Sequence, residues 1–140
     1  MPELNWRHNG RRIVIPAAIL RADNPADLSY ETVTALVDTG ATSSGIMPHV
    51  VETLALLPHS KRLVKGAHGE AMVDGFVFRV GLFADSDCGA STTALPYVFD
   101  AIMGLRFSPS EHFAAIIGMD ILSQCDFLVA RNGSCRLTFG

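Results

Sequence analysis

The apolar residues of this chain fall in short runs broken by glycine, proline, asparagine and aspartate. That is the pattern of strands joined by turns. Arg11 to Leu20 carries Ile13-Val14-Ile15 and then Pro16. A proline cannot donate to a ladder, so this strand is expected to have an edge or a bend there. Asn9-Gly10 just before it is a two-residue turn signal. It either folds Leu4 to His8 back against Arg11 onward or begins the first long strand. Arg21 to Ser29, with Asp23-Asn24-Pro25, reads as a surface loop. Tyr30 to Val37 then returns as a strand rich in β-branched residues.

Pro48 to Leu57 is the one stretch with helical spacing, Val50, Val51, Leu54 and Leu57 sharing a side. Pro48 suits its start and Pro58 ends it. Leu63 to Phe83 predicts a long β-hairpin with its bend within Gly66-Ala67-His68-Gly69. Met72, Phe76, Phe78, Val80 and Leu82 form one face of its second arm, Val73 and Val77 the other, and Asp74-Gly75 suggests a bulge. Asp85 to Thr93 is polar and small, hence a loop. Thr93 to Met103 supplies another strand, and residues 104–112 read as a connection. Ala114 to Ile117 is a buried strand leading into Gly118, after which Asp120 is expected to cap a short helix through Gln124. Phe127 to Val129 and Cys135 to Phe139 bracket Asn132-Gly133, the clearest hairpin signal in the sequence. The expected fold class is all-β with one or two short helices, in a single domain over residues 1–140.

Composition narrows the function. With 140 residues, 49% of them hydrophobic, the chain can bury a modest core. A net charge of −3, with basic residues scattered, predicts no nucleic-acid footprint. Arg11-Arg12 and Lys61-Arg62 read as solvated strand ends. No basic region leads into an apolar signal core, and no stretch is long enough to cross a bilayer as a helix, so a soluble, cytoplasmic protein is expected. Cys88, Cys125 and Cys135 are an odd set without a CxxC pair, which argues against a disulfide framework. His49 and His59 lack zinc-ligand spacing, and no HExxH occurs.

The candidate chemistry sits at the end of the Tyr30–Val37 strand. Ala35-Leu36-Val37 delivers Asp38, followed by Thr39, Gly40 and Ala41. A buried strand holds such an acid rigidly, and Gly40 permits a tight turn that a side chain would obstruct. The same three residues are also ordinary turn formers. The setting goes further. Ala35 to Ala41 with Thr42-Ser43-Ser44-Gly45-Ile46 resembles the active-site segment of the aspartic proteases, closest to the retropepsin-like branch with its bacterial and cellular single-domain members. Ala115-Ile116-Ile117-Gly118-Met119-Asp120-Ile121-Leu122 resembles that branch's downstream apolar-apolar-Gly motif and short helix. The resemblance spans residues 11–139, with a poor match from Cys88 to Ser110.

The resemblance implies a closed β domain assembled as a C2 homodimer, because one Asp-Thr-Gly supplies one acid and the reaction uses two. Asp38 would pair with its counterpart in the second chain, Thr39 would hydrogen-bond across the two loops, and Gly40 would let them approach. The long hairpin would be a flap, making Ala41, Gly66, Ala67, His68 and Gly69 the substrate-binding candidates. Gly118 and Asp120 would be structural. Thr42 and Met119 depart from the viral enzymes, which commonly place an acid and a base there; both departures suit the cellular and bacterial branch. The implied activity is endopeptidase cleavage of extended, partly apolar peptides, with no cofactor and no metal. The alternative is a catalytically inactive domain used for dimerisation or peptide binding. A Ser/His/Asp hydrolase has no support, since Ser43 and Ser44 lack a GxSxG elbow.

Overall fold

The structure, a computed structural model, describes residues 1–66, 69–85 and 95–140. In chain order its elements are β1 (Glu3–Arg7), β2 (Val14–Arg21), β3 (Glu31–Val37), β4 (Gly45–Ile46), α1 (Pro48–Thr53), β5 (Ser60–Gly66), β6 (Gly69–Leu82), β7 (Tyr97–Val98), β8 (Ile102–Arg106), β9 (Ala115–Ile117), α2 (Met119–Leu122), β10 (Asp126–Val129) and β11 (Ser134–Thr138). The fold is mostly β with two short helices.

One sheet runs β2-β3-β9-β4-β8-β6 and closes because β6 also pairs with β2. The length of β6 makes closure possible. Its first part, Gly69 to Gly75, pairs with β5, its middle, Gly75 to Phe78, with β8, and its last part, Phe78 to Arg79 and Val80 to Leu82, with β2. The register stays continuous through Asp74 and Gly75, so the expected bulge is absent; Gly75 is where the strand changes partner. A Cβ there would meet Ser60 Oγ at 2.8 Å. Phe76, Phe78, Val80 and Leu82 fill the closed sheet together with Ile15, Val37 and Ile117, and Phe139 belongs to the same core. Met72, expected on that face, is exposed because it stands on the arm that extends beyond the core.

Pro16 behaves as its chemistry requires. It pairs with Thr34 on β3, and pairing of β2 to β6 begins only at Ala17, so no donor is missing on the other side. Asn9-Gly10 does not make a hairpin of β1 and β2. Instead Asn9 Oδ1 accepts the Arg11 and Arg12 N–H groups, and β1 pairs with β11. A second, three-stranded sheet, β1-β11-β10, results. Its β10–β11 hairpin turns at Gly133, φ +90°, as Asn132-Gly133 predicts. Helix α1 is shorter than expected, and Leu57 is 83% exposed rather than packed, because Ala55 takes φ +52° and ends the helical path first. The expected connection at 104–112 starts later, since β8 continues to Arg106. The loop from Asp85 to Thr93 falls largely outside the described residues, as does Cys88.

Arg79 is the one charged side chain buried in this fold among the described residues, at 8% exposure. Its guanidinium donates to four main-chain carbonyls, one at the end of β2, Arg21 (2.8 Å), and three in the segment after it, Pro25 (3.3 Å), Asn24 (3.2 Å) and Asp27 (2.6 Å). A loop too polar to pack is thereby pinned to β6. Arg79→Met should destabilise the protein by about 3 kcal/mol, because four main-chain carbonyls lose a charged donor at once. Urea denaturation at neutral pH measures this, and a loss below about 1 kcal/mol would show that water replaces the guanidinium without penalty.

Candidate active site

Asp38 stands one residue beyond the end of β3, half-buried. Its N–H donates to Ile117 O at 3.0 Å, continuing the parallel β3–β9 pairing by one step. The carboxylate is turned by its own loop: Gly40 N–H donates to Asp38 Oδ1 at 2.9 Å, and Ala41 N–H to Asp38 O at 3.2 Å. Gly40 has no left-handed backbone; its need for glycine is proximity, since a Cβ would lie 3.2 Å from Asp38 Oδ1. Thr39 and Gly40 are exposed and Ala41 is half-buried. The loop therefore presents an oriented acid and two accessible residues on its outer side.

The segment that follows is fastened to Gly118 and α2 by both backbone and side chains. Met119 N–H donates to Ala41 O at 2.8 Å and Asp120 N–H to Thr42 O at 3.2 Å. Asp120 does not cap the helix as expected; Gly118 holds the N-cap position and Asp120 lies in the first turn. Its carboxylate accepts Ser44 N–H at 2.9 Å, Ser44 Oγ–H at 2.6 Å and Ile121 N–H at 2.9 Å. Ser44 Oγ in turn accepts Gly118 N–H at 3.0 Å. Ser44 is fully buried, so these partners replace water completely. Asp120→Ala should cost about 2 kcal/mol by stranding both Ser44 donors, and Asp120→Asn less, since one amide oxygen still accepts. Thermal melts of the two variants check the order; equal melting temperatures would refute it.

Gly66 and Gly69 face each other as the last pair of the β5–β6 hairpin, Gly69 at φ +112°. Ala67 and His68, between them, lie outside the described residues. A cleft of about 490 Å³ adjoins the Asp38 loop and is lined by Thr42, Ser43, Arg62, Ile102, Met103, Met119 and Asp120. Arg62, on the first arm of the hairpin, lines this cleft alongside Thr42 and Ser43 and makes no ion pair among the described residues; the pattern of charges alone marks it only as a strand-end cation. The role of Ser44 is not legible locally, because its partner Asp120 is distant in sequence and nothing in the local spacing signals it. Cys125 is unsuited to nucleophilic work, since burial first and the nearby Asp126 charge second push its thiol up to about 11. Among the described residues no cluster of His, Cys, Asp and Glu could hold a metal ion, and no helix is long and apolar enough to cross a membrane.

The family model described as aspartyl protease matches residues 25–120, which takes in the Asp38 loop, the hairpin and α2 up to Asp120. The chain belongs to the aspartyl protease family. Its fold is that of the retropepsin-like members. A retropepsin-like aspartic protease from Rickettsia conorii superposes with a TM-score of 0.60 at 16% identity, covering 98% of this chain and 90% of that one. The EIAV protease, in complex with the inhibitor HBY-793, superposes with a TM-score of 0.50 at 16% identity, covering 84% of this chain and 91% of that one. No curated protein matches the sequence. In this family member the apolar-apolar-Gly segment Ile116-Ile117-Gly118 lies beside the Asp-Thr-Gly loop because β9 is the neighbour of β3.

Proposed function

We propose that this aspartyl protease family member is an endopeptidase that hydrolyses extended, partly apolar peptides through Asp38 paired with Asp38 of a second copy. The observation that carries the proposal is the presentation of Asp38. A strand-end acid is held by Ile117 O from behind and aimed by Gly40 N–H from in front, inside the span that the family model matches. One such loop supplies one carboxylate, and hydrolysis needs a base for the attacking water and an acid for the peptide group. A two-fold dimer brings two equivalent loops to one axis. Closely placed carboxylates cannot both ionise readily, so the pair holds a proton between them and performs both roles.

In this proposal Thr39 uses its hydroxyl across the two loops, and Gly40 lets them approach. Ala41 and the hairpin end, Gly66 to Gly69 with Ala67 and His68, contact an extended substrate by main-chain hydrogen bonds. Gly118 and Asp120 hold the loop from below. Residues 1–140 act as one protease unit, and two units make the enzyme.

The test is cleavage of a diverse peptide library over a range of protein concentrations, with sedimentation on the same samples. Specific activity should fall on dilution in step with the loss of dimer. Constant specific activity in samples that sediment as monomers would refute the shared dyad. Saturable peptide binding without cleavage by an intact dimer would instead establish a binding domain.

A further inference from the structure

The register of the β5–β6 hairpin sorts its charged residues by face. Arg62 stands opposite Val73, while Lys61 and Lys65 stand opposite Asp74 and Glu70. Side chains alternate along a strand, so Arg62 shares one face with Ser60 and Val64, and Glu70 and Asp74 lie on the other. Both acids are engaged there, Glu70 with Lys65 at 3.6 Å and Asp74 with Arg106 at 3.5 Å. Arg62 is left without an ion pair among the described residues.

The face that carries Arg62 is the one turned to the cleft. Ser60 Oγ donates to Met103 Sδ at 3.6 Å, and Met103 and Arg62 both line the space of about 490 Å³ beside the Asp38 loop. Ile102, Met103 and Met119 give that space an apolar wall, and Thr42 and Ser43 add hydroxyl groups. Met119 is 40% exposed, so the wall is open to a ligand. Among the described residues Asp120 is the one acid on the lining. Both of its oxygens are taken up by the Ser44 N–H, the Ser44 Oγ–H and the Ile121 N–H. The charge that the fold leaves unanswered in this cleft is therefore positive.

We infer that Arg62 selects peptides carrying an acidic side chain, which this cleft holds beside the Asp38 loop. The inference rests on the endopeptidase reading above and adds a substrate class to it. Glutamate offers both features that the lining asks for, an aliphatic stem for the Met103 and Met119 wall and a terminal carboxylate for Arg62. A guanidinium holds a carboxylate through two parallel N–H···O bonds, a geometry that a neutral amide does not match. Arg62 is exposed and solvated in the free chain, so the gain is net of that hydration and amounts to about 10-fold in affinity. The carboxylate is a side chain's and not a chain end's, because an endopeptidase cuts within a peptide that continues on both sides of the bond.

The experiment varies one charge in the peptide and one in the cleft. A set of peptides blocked at both ends carries Glu, Gln or Lys at each position in turn. Glutamine keeps the shape of glutamate without its charge, so the comparison isolates the carboxylate. At the position that reaches Arg62 the full-length parent should favour Glu over Gln by about 10-fold in kcat/KM. The difference should lie in KM, since the contact is present before and during reaction. Arg62→Ala should level the two peptides, Arg62→Lys should keep part of the preference, and Arg62→Glu should favour Lys. Should Arg62→Glu fail to fold, the other two variants decide. The same peptides titrated by fluorescence anisotropy against Asp38→Asn, with and without Arg62→Ala, should show the same order in Kd. Equal handling of Glu and Gln at every position, or a preference that survives Arg62→Ala, overturns the inference and leaves the endopeptidase reading standing. A parent that cleaves none of the peptides, with a Glu preference in Kd that still depends on Arg62, overturns the endopeptidase reading and supports the cleft assignment. Neither cleavage nor binding overturns both.

Discussion

Asp38→Asn is expected to lower the rate of peptide cleavage by about 10³-fold or more, without changing the fold. Asparagine has the size of aspartate, and its amide oxygen can still accept the Gly40 N–H that orients Asp38 Oδ1. Its amide cannot take a proton from water or share one with its counterpart. The variant therefore separates chemistry from structure: melting temperature and sedimentation should match the parent, and kcat should collapse. In a shared dyad a single substitution removes both carboxylates, so little activity should remain from a half-intact site. Cleavage at the parent rate by a verified variant would mean that the acid at this strand end is not the catalytic group.

Gly118→Ala is expected to cost about 3 kcal/mol and to lower the melting temperature by about 10 °C. The reason is contact, not conformation, because Gly118 has φ −98°, open to any residue. A Cβ at this position would stand 2.8 Å from Ala41 O, 2.8 Å from Ser43 C and 2.9 Å from Ser43 O. All three are backbone atoms, so no side chain can swing aside. The segment after the Asp38 loop would have to lift off α2, loosening the bonds from Met119 and Asp120 N–H groups to Ala41 O and Thr42 O. Displacement by even an ångström should reduce residual cleavage by about 10²-fold in the protein that still folds. Calorimetry and single-turnover cleavage measure the two effects. A melting temperature within about 2 °C of the parent would show that the loop and helix are less tightly fitted than the contacts require.

Gly104 makes the same kind of contact deeper in the barrel, where a Cβ would enter the ring of Phe78. At both positions a glycine looks like a loop former in sequence and proves to be a packing surface. Asp74-Gly75 misleads similarly: its turn chemistry suggests a bulge, whereas the glycine lets Ser60 approach as β6 passes from β5 to β8.

Most of the strands, the Pro16 edge, the long hairpin and the Asn132-Gly133 turn could be read from the residues, because each depends on neighbours a few positions away. So could the Asp38 loop, since its acid, its glycine and its preceding strand are contiguous. The pairing of β1 with β11 could not, because Asn9-Gly10 offers an equally good local turn and only the packing of both chain ends decides between them. Nor could the work of Asp120, whose carboxylate meets Ser44 across 76 residues and is drawn from the helix cap by a better set of donors. Arg79, Asp85 and Arg62 are ordinary surface residues by composition. Their roles arise from which carbonyls, edges and cleft walls the closed sheet brings to them. Local order, fixed by steric preference and periodicity, was thus written in the sequence; which distant groups meet was decided by burial, when polar atoms cut off from water had to find partners in the folded chain.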